Sequence, residues 1–458
     1  MTISRFDQVV WLICVMLLGL SLALIARGDQ VGLEIIQQSP ADGSASSTRS
    51  QIRVQFNEEL SAVPPNSVVL SPEVSGTTIV EGTSLVFEPD IPLQSGQEYE
   101  VTLQAGIIGT SGRVLREAST WRFLTTGPRI LFIGLDEEAP NQIFMADPYG
   151  SDQPFQLSRA PGLVVDFAAS PDGTQIAYTV SVSEEDRRGA SDLWIMNADG
   201  SEARVLLSCG LATCSRPVWH PEGDRIVYER RTIAAIGEPP ANPRLWWLDV
   251  QTRETVSVFL ESQLLGFFAT FSADGEWLSF VSPVERGIQL YNLLDGSGAV
   301  IRNRVGSPAV WSPIEPVMAL ADIYPVGESF QSLITTVDAK SGRTLIISEP
   351  LYDELIDDGG PAWSPDGQRL AFGRKQVLTA SGRQLWIMRS NGADPLQLTS
   401  DPDLHHASVS WSPDGTMLLY QLFDIKELYA QTGIWVMDLG IGTSRRLYHP
   451  GAQPAWLP

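Results

Sequence analysis

Residues 362–372 read AWSPDGQRLAF, and variants of this stretch recur along the second part of the chain. In each copy a turn of the Ser-Pro-Asp-Gly type precedes a short apolar run that is typical of a strand. Proline presets φ at the first central position of a type I turn, and glycine supplies the left-handed residue that keeps a hairpin in register. The aspartates of these turns are therefore predicted to be structural. The other copies are AASPDGTQIAY (168–178), VWHPEGDRIVY (218–228), TFSADGEWLSF (270–280), VWSPIEPVMAL (310–320) and SWSPDGTMLLY (410–420).

A second motif, exemplified by QLWIMRSNG at 384–392, follows each of these copies, and a further one precedes the first of them. This early copy of the second motif is QIFMADPYG at 142–150. The AWSP-type stretch that belongs with it is split between the two ends of the repeat region. Residues 453–458 match the start of the AWSP stretch, and residues 130–133 match the strand that follows it. We therefore expect the C-terminal strand to complete the blade that the N-terminal strands begin, which closes a ring and removes its free edges.

The length of the repeat gives the number of blades. Residues 130–458 divided by seven give about 47 residues per unit, a normal size for a four-stranded blade. The sequence thus predicts an all-β, seven-bladed propeller over residues 128–458. Six blades are the alternative, if the degenerate units near residues 288–340 fuse.

The Trp-Ser-Pro-Asp-Gly and Leu-Trp-x-Met patterns resemble the repeats of TolB-like propellers over essentially the whole span 130–458. The family has six blades, and its members work in protein–protein assemblies at the cell envelope. The resemblance implies a fold and a binding role rather than an activity, because propellers support binding, scaffolding and several kinds of catalysis.

Residues 31–127 alternate short apolar runs with turn residues, which predicts an antiparallel β-sandwich. This region resembles the bacterial Ig-like domain of surface-layer and cell-envelope proteins, and the resemblance implies a spacer or adhesion unit. The stretches that carry it include SPADG at 39–43, FNEEL at 56–60, YEVTL at 99–103 and WRFLTT at 121–126.

The N-terminal residues 1–30 contain an uncharged apolar run at 9–26, about 18 residues and just long enough to span a bilayer. We interpret it as an uncleaved signal anchor, a transmembrane helix, with a cleaved signal peptide as the alternative. The domains that follow are then expected outside the cytoplasm, in the periplasm or at the cell surface. In such an oxidising compartment Cys209 and Cys214 are predicted to form a local disulfide, and the alternative is two free thiols.

Composition excludes several functions. With 31 basic and 54 acidic residues, the chain has a net charge of −23 and would be repelled by nucleic acids and anionic lipids. It contains no Gly-x-Ser-x-Gly elbow, no Gly-x-x-x-x-Gly-Lys loop and no His-Glu-x-x-His. We therefore assign no cofactor, no metal and no catalytic residue from motifs.

One group of polar residues is a candidate binding site. Asp357 and Asp358 lie eight and seven residues before Pro365, and His405 and His406 lie eight and seven before Pro413. If the register holds, the four occupy equivalent loop positions on neighbouring blades, at the top face of the propeller. Two imidazoles beside two carboxylates could bind a divalent cation or perform acid–base chemistry. The alternative is a solvated pair of polar loops that compensate each other's charge.

Insertions between the second and third strands of several units are expected to project onto the same face. They carry basic spots suited to an acidic polymer or protein: Arg187, Arg188, Arg230 and Arg231. The sequence thus predicts a membrane-anchored extracytoplasmic binding or scaffold protein that recognises an envelope protein or glycan with this top face. The competing hypothesis is a hydrolase or lyase that acts on a polysaccharide or lactone in the central pocket. A sensory ectodomain that signals through a partner is a third interpretation.

Overall fold

The structure is a computed structural model of the chain. The chain divides into two compact units, Met1–Gly127 and Pro128–Pro458. Among the described residues, none belongs to a helix that combines the length and apolar character needed to cross a bilayer. The predicted anchor lies outside the described residues, apart from Met16. The structure describes residues 16, 32–47, 50–91, 93–94, 97–135, 140–149, 153–182, 189–233, 241–259, 264–350, 354–379 and 381–458.

The N-terminal unit is the predicted β-sandwich. Its strands are β1 (Ile35–Ser39), β2 (Ser44–Ser47), β3 (Ile52–Phe56), β4 (Leu60–Ala62), β5 (Val68–Ser71), β6 (Gly76–Glu81), β7 (Ser84–Pro89), β8 (Glu98–Leu103), β9 (Ile108–Gly109) and β10 (Ser119–Thr126). One sheet has the order β1-β3-β7-β6 and the other β2-β10-β8-β5, while β4 pairs with β9. Side chains alternate along the strands: Ile52 and Val54 are buried in the core while Arg53 between them is exposed.

The C-terminal unit consists of four-stranded antiparallel modules, each named here after the strand that comes first in it. The β38 module contains β38 (Gly451–Leu457), β11 (Arg129–Gly134), β12 (Gln142–Ala146) and β13 (Phe155–Gln156). The β14 module contains β14 (Val164–Ala169), β15 (Gln175–Ser181), β16 (Ser191–Asn197) and β17 (Arg204–Leu207). The β18 module contains β18 (Ala212–Trp219), β19 (Arg225–Thr232), β20 (Arg244–Asp249) and β21 (Thr255–Ser257).

The next modules have the same order of strands. The β22 module contains β22 (Phe267–Phe271), β23 (Trp277–Ser282), β24 (Gly287–Asn292) and β25 (Gly298–Arg302). The β26 module contains β26 (Val310–Trp311), β27 (Val317–Val326), β28 (Ser329–Asp338) and β29 (Thr344–Ile346). The β30 module contains β30 (Ile356–Trp363), β31 (Arg369–Gln376), β32 (Gln384–Arg389) and β33 (Leu396–Gln397). The β34 module contains β34 (Leu404–Trp411), β35 (Met417–Asp424), β36 (Gly433–Asp438) and β37 (Thr443–Tyr448).

The first strands of successive modules contact one another, from β14 through β18, β22, β26, β30 and β34 to β38. Between β38 and β14, the Gln453 side-chain amide donates to the Val165 carbonyl across 3.0 Å. Strand β38 also pairs antiparallel with β11, from Arg129 opposite Leu457 to Gly134 opposite Gly451. The C-terminal strand therefore pairs with the start of this unit, as the split repeat predicts.

The repeated Ser-Pro-Asp-Gly turns are held by hydrogen bonds of their own serine and aspartate side chains. The Ser364 hydroxyl donates to Asp366 across 2.5 Å and accepts the Arg369 N–H across 2.9 Å, and Gly367 takes up a positive φ of 67°. The aspartate is thus used inside the turn. The tryptophan of the motif has a long-range role, because the Trp363 indole N–H donates across 3.1 Å to the Val310 carbonyl in the first strand of the preceding module. This bond recurs at Trp219 and Trp411 with neighbouring modules.

Candidate functional site

The four predicted site residues occupy equivalent positions, but these positions are in strands. Asp357 and Asp358 are the second and third residues of β30, and His405 and His406 hold the same places in β34. The prediction that they lie in loops is wrong, because both first strands begin before these residues. The two strands contact each other, so the four residues are brought to one junction between modules.

Asp358 is fully buried and forms a two-pronged ion pair with Arg374. Nε of Arg374 donates across 2.7 Å and Nη2 across 2.8 Å to the two carboxylate oxygens. Arg374 is itself buried, and its guanidinium lies 5.0 Å from the ring of Trp386. Burial raises the pKa of Asp358, and the hydrogen bonds from Arg374 oppose that rise. The pair is an internal part of the sheet and is not open to a ligand.

Asp357 is partly exposed and faces two cations. Nη2 of Arg383 donates to it across 2.7 Å, and Nζ of Lys375 lies 3.7 Å away. The Arg383 guanidinium lies against Gly359, where an added Cβ would be 2.9 Å from its Nη1. A larger residue at Gly359 would therefore require the end of the Arg383 side chain to shift.

The two histidines contact Arg383 through its backbone. The Arg383 N–H donates to His405 Nδ1 across 3.4 Å, and His406 Nδ1 lies 2.9 Å from the Arg383 carbonyl. The pKa of His405 is lowered by burial and then by the charges of Arg383 and Lys375, and burial also lowers the pKa of His406. Both imidazoles are therefore predominantly neutral at neutral pH.

We call these residues the charged cluster: Asp357, Asp358, Arg374, Lys375, Arg383, His405 and His406. Charge is compensated between the aspartates and three cations, not between aspartates and histidines. The sequence analysis missed these cations. Hairpin register could have identified two of them, because Asp357 and Asp358 stand opposite Lys375 and Arg374 across the Ser-Pro-Asp-Gly turn.

A second site, which the sequence analysis did not identify, is a pocket of about 440 Å³ beside β14, β18 and β19. Charged side chains in its lining are Asp166, Arg216, Glu229 and Arg231. We call it the carboxylate pocket. Of the predicted basic spots, Arg231 lies here, the Arg230 guanidinium lies 5.0 Å from the Trp246 ring, and Arg187 and Arg188 lie outside the described residues.

The two acids of this pocket accept hydrogen bonds from the backbone of the next module. Asp166 accepts the Arg216 N–H across 3.0 Å and also a bond from the Thr179 hydroxyl. Glu229 accepts the Phe268 N–H across 2.8 Å. Burial raises the pKa of both carboxyls, and the charge of Asp166 adds to the rise at Glu229. Such carboxyls hold a proton more tightly than free ones do.

Arg216 connects the acids to an aromatic ring. Its Nε lies 3.4 Å from Glu229 Oε1, and its guanidinium carbon lies 4.0 Å from the centre of the Phe268 ring. The Arg216 side chain is 47% exposed, whereas that of Glu229 is 7% exposed. Glu229 therefore lies at the buried floor of the pocket, and Arg216 is the side chain that solvent can reach.

Arg216 and Phe268 stand at one repeated backbone position, which we call the bulge position. A β-bulge there interrupts the pairing of β18 with β19 and of β22 with β23, and φ is +51° at Arg216 and +57° at Phe268. Positive φ also occurs at the equivalent residues Gly360, Ser408 and Gln453. Residues other than glycine are strained when φ is positive, and such strain is concentrated at functional sites.

In β18, β22, β30 and β34 the bulge position lies five residues before the Pro or Ala of the turn motif. This spacing is a sequence signal that could have identified the site. Counting back five instead of seven residues gives Asp166, Arg216, Phe268, Pro308, Gly360 and Ser408. Polar and aromatic residues are thus grouped in consecutive modules.

One described group of side chains has the spacing of metal ligands. His220 replaces the serine of a turn motif, and its Nδ1 lies 3.5 Å from Glu222 and 3.8 Å from Asp224. His220 Nε2 faces the Gly275 carbonyl at 3.3 Å, and Arg225 lies 3.5 Å from the same nitrogen. The nearby guanidinium opposes a bound cation, and the histidine stabilises the turn in place of serine.

Comparison with known proteins agrees with this architecture. Residues 29–125 match the family described as bacterial Ig-like domain, which confirms the predicted first domain. A puromycin hydrolase variant complexed with PGG has a similar structure, with a TM-score of 0.51 and 11% identity, covering 79% of this chain and 53% of that one. TolB from Acinetobacter baumannii is also similar, with a TM-score of 0.43 and 15% identity over 94% of this chain and 100% of that one. At these identities the similarity to the two solved structures concerns the fold alone.

One curated protein, dipeptidyl-peptidase 5 of Porphyromonas endodontalis, is 40% identical over 63 residues. The match spans 14% of this chain and 9% of that protein, so the chain matches about a tenth of the length of this relative.

Proposed function

We propose that this chain is a membrane-anchored extracytoplasmic binding or scaffold protein that recognises an envelope protein or glycan with one end of a seven-bladed propeller. The observation that carries the proposal is the charged cluster. Asp357, Lys375 and Arg383 are each about one-quarter to one-third exposed, at 25%, 34% and 31%. Fixed, partly exposed charges on a rigid sheet suit specific recognition, because little order is lost on binding.

The blade number is supported by the modules. Each first strand from β14 to β38 begins a set of four, and the degenerate residues 297–333 supply β25 to β28. One parallel residue pair, Ser332 with Asp357, joins the β26 and β30 sets at their edge, and Ser191 with Thr213 joins the β14 and β18 sets in the same way, but each set keeps its own four strands. Six blades would require two of these sets to merge.

The proposed location has separate support. The apolar run at residues 9–26 has the length of a membrane span, and Cys209 and Cys214 are joined by a disulfide. Disulfides persist in oxidising compartments. The match of residues 29–125 to a bacterial Ig-like domain agrees with a position at the cell envelope.

The test is capture from an envelope extract with the full chain as bait, followed by crosslinking and identification of what is retained. The variant Asp357→Asn/Arg383→Gln removes the exposed ion pair of the charged cluster. Its matched control, Arg389→Gln/Asp394→Asn, removes a surface ion pair of the same length, 2.7 Å, elsewhere on the β30 module. We expect a specific protein or glycan to be lost only from the first variant. Equal retention by both variants would refute recognition through the charged cluster.

A second candidate function, hydrolase or lyase, is favoured by one observation: two carboxyls with raised pKa, the half-buried Asp166 and the buried Glu229, lie beside an arginine in the carboxylate pocket. A carboxyl of raised pKa can act as a general acid near neutral pH. This places the candidate acids at Asp166 and Glu229 instead of Asp357 and Asp358. Release of reducing ends from a polysaccharide, abolished in Glu229→Gln, would support the enzyme; absence of turnover with intact binding would support the binding protein.

A further inference from the structure

The carboxylate pocket has the size and lining of a small-ligand site. Its volume of about 440 Å³ lies within the range of about 300–1,000 Å³ that is usual for such sites. Its walls combine apolar side chains, Val165, Val182 and Pro243, with hydroxyl groups of Ser181 and Thr213. A ligand that fits has an apolar face and several hydroxyl groups.

The charges of the pocket define the ligand further. Arg216 and Arg231 both line it, in a chain whose net charge is −23. Phe268 lies beneath the guanidinium of Arg216, and Glu229 binds its Nε, so the planar group is held in one orientation. An arginine held in this way binds carboxylates through two parallel hydrogen bonds.

The acids supply acceptors for the rest of the ligand. Asp166 and Glu229 already accept backbone N–H groups, and carboxylate oxygens can accept further hydrogen bonds from hydroxyl groups. We propose that the carboxylate pocket binds a sugar acid, with Arg216 on its carboxylate and Asp166 and Glu229 on its hydroxyl groups. This rests on the proposed binding function and names a ligand class, at a site separate from the charged cluster.

The strained backbone supports the same assignment. Phe268 keeps a φ of +57°, a left-handed conformation that is strained for a bulky residue. In this conformation its N–H donates to Glu229 and its ring packs against the guanidinium of Arg216. A single strained residue thus positions both the acid and the cation of the site.

The test is isothermal titration calorimetry of the full chain with D-glucuronate, with a short oligoglucuronate and with glucose, which lacks the carboxylate. We expect both uronates to bind and glucose to bind at least about tenfold more weakly, because it lacks the carboxylate that accepts the charge-assisted hydrogen bonds from Arg216. Tighter binding of the oligomer would identify a polymer as the source of the sugar acid, and equal binding per unit would identify the free monosaccharide. Equal affinity for glucose and glucuronate would overturn the proposal.

Variants separate the site from the fold. Arg216→Lys keeps the charge but removes the two-pronged geometry, and we expect about a tenfold loss of glucuronate affinity. Arg389→Lys, at an exposed ion pair, is the matched control and should keep the affinity within about twofold. Unchanged affinity in Arg216→Lys, or tighter binding of an acidic hexapeptide than of oligoglucuronate, would also overturn the assignment. Equal envelope capture by Asp357→Asn/Arg383→Gln and its control, together with intact uronate binding, would instead refute the charged cluster alone.

Discussion

At the scale of single residues, the bulge position is where the first strands depart from regular geometry. Ser408 and Gly360 occupy it in neighbouring modules with nearly the same φ, +52° and +60°, and both are exposed. A Cβ added at Gly360 would meet no atom within 4 Å, so only the backbone opposes a side chain there. These two residues therefore allow the cost of the conformation to be measured without a change in packing.

We predict that Ser408→Gly raises the free energy of unfolding by about 0.5–1 kcal/mol and that Gly360→Ala lowers it by about 1 kcal/mol. Glycine adopts positive φ without the clash of Cβ, which gives the opposite signs. Urea unfolding of both variants at one pH measures the effect. A change of the same sign in both would contradict this account of the bulge.

The acids of the carboxylate pocket make stability depend on pH. Because the pKa of Glu229 is raised in the folded state, the folded chain binds its proton more tightly than the unfolded chain does. The free energy of unfolding therefore falls as pH rises from the unfolded value, about 4.3, through the folded one. We predict that Glu229→Gln is more stable relative to the parent above this window than below it.

Unfolding free energies of parent and variant, measured from pH 4 to pH 8, test this prediction. Glu254→Gln, the same change at an exposed position of the same module, is the control. A constant difference for Glu229→Gln across the range would show that burial does not control this carboxyl.

At the scale of elements, the disulfide fixes the connection between two modules. Cys209 follows β17 and Cys214 is the third residue of β18, with a sequence separation of 5. The Cys209 N–H donates to Asp192 across 2.8 Å, and the Cys214 N–H donates to the Ser191 hydroxyl across 3.0 Å, so both ends of the loop are bound to the start of β16.

We predict that the double change Cys209→Ser/Cys214→Ser lowers the free energy of unfolding by about 2 kcal/mol, the entropy of closing so short a loop. Chemical unfolding of the oxidised parent and of the variant measures the loss. Reduction of the parent by dithiothreitol should reproduce it, and a parent that is equally stable with and without reductant would contradict the prediction.

Elements also show how far sequence could predict this molecule. The Ser-Pro-Asp-Gly hairpins were predictable because each turn closes on residues within five positions, as Ser364 does with Asp366 and Arg369. The carboxylate pocket was not, because Asp166, Arg216 and Phe268 come from three modules and meet only through the contacts between their first strands. Positions seven and eight residues before the turn proline contain the charged cluster, whereas Asp166, Arg216 and Phe268 lie five residues before the corresponding Pro or Ala. The count of seven and eight therefore missed the carboxylate pocket.

At the scale of the whole C-terminal unit, stability depends on pairing between its two ends. Strand β11 is buried along most of its length and lies between β12 and β38. Without β38, its edge and the apolar side chains of Ile130 and Phe132 would be exposed to water and to other chains. The closing strand also provides Leu457 to the core shared with the β14 module.

We predict that deletion of residues 451–458 lowers the free energy of unfolding by at least about 4 kcal/mol, because the burial of Trp456 and Leu457 is lost together with a row of backbone hydrogen bonds. The truncated chain should also form dimers or larger species through the exposed edge of β11, measurable by sedimentation velocity. A synthetic peptide of residues 449–458 added in excess should restore the melting temperature and the sedimentation coefficient of the parent, since it can pair with β11 as a separate strand. A truncated chain that melts like the parent would show that the ring does not depend on this closure, and failure of the peptide to rescue a destabilised chain would show that β38 must be covalently attached to act.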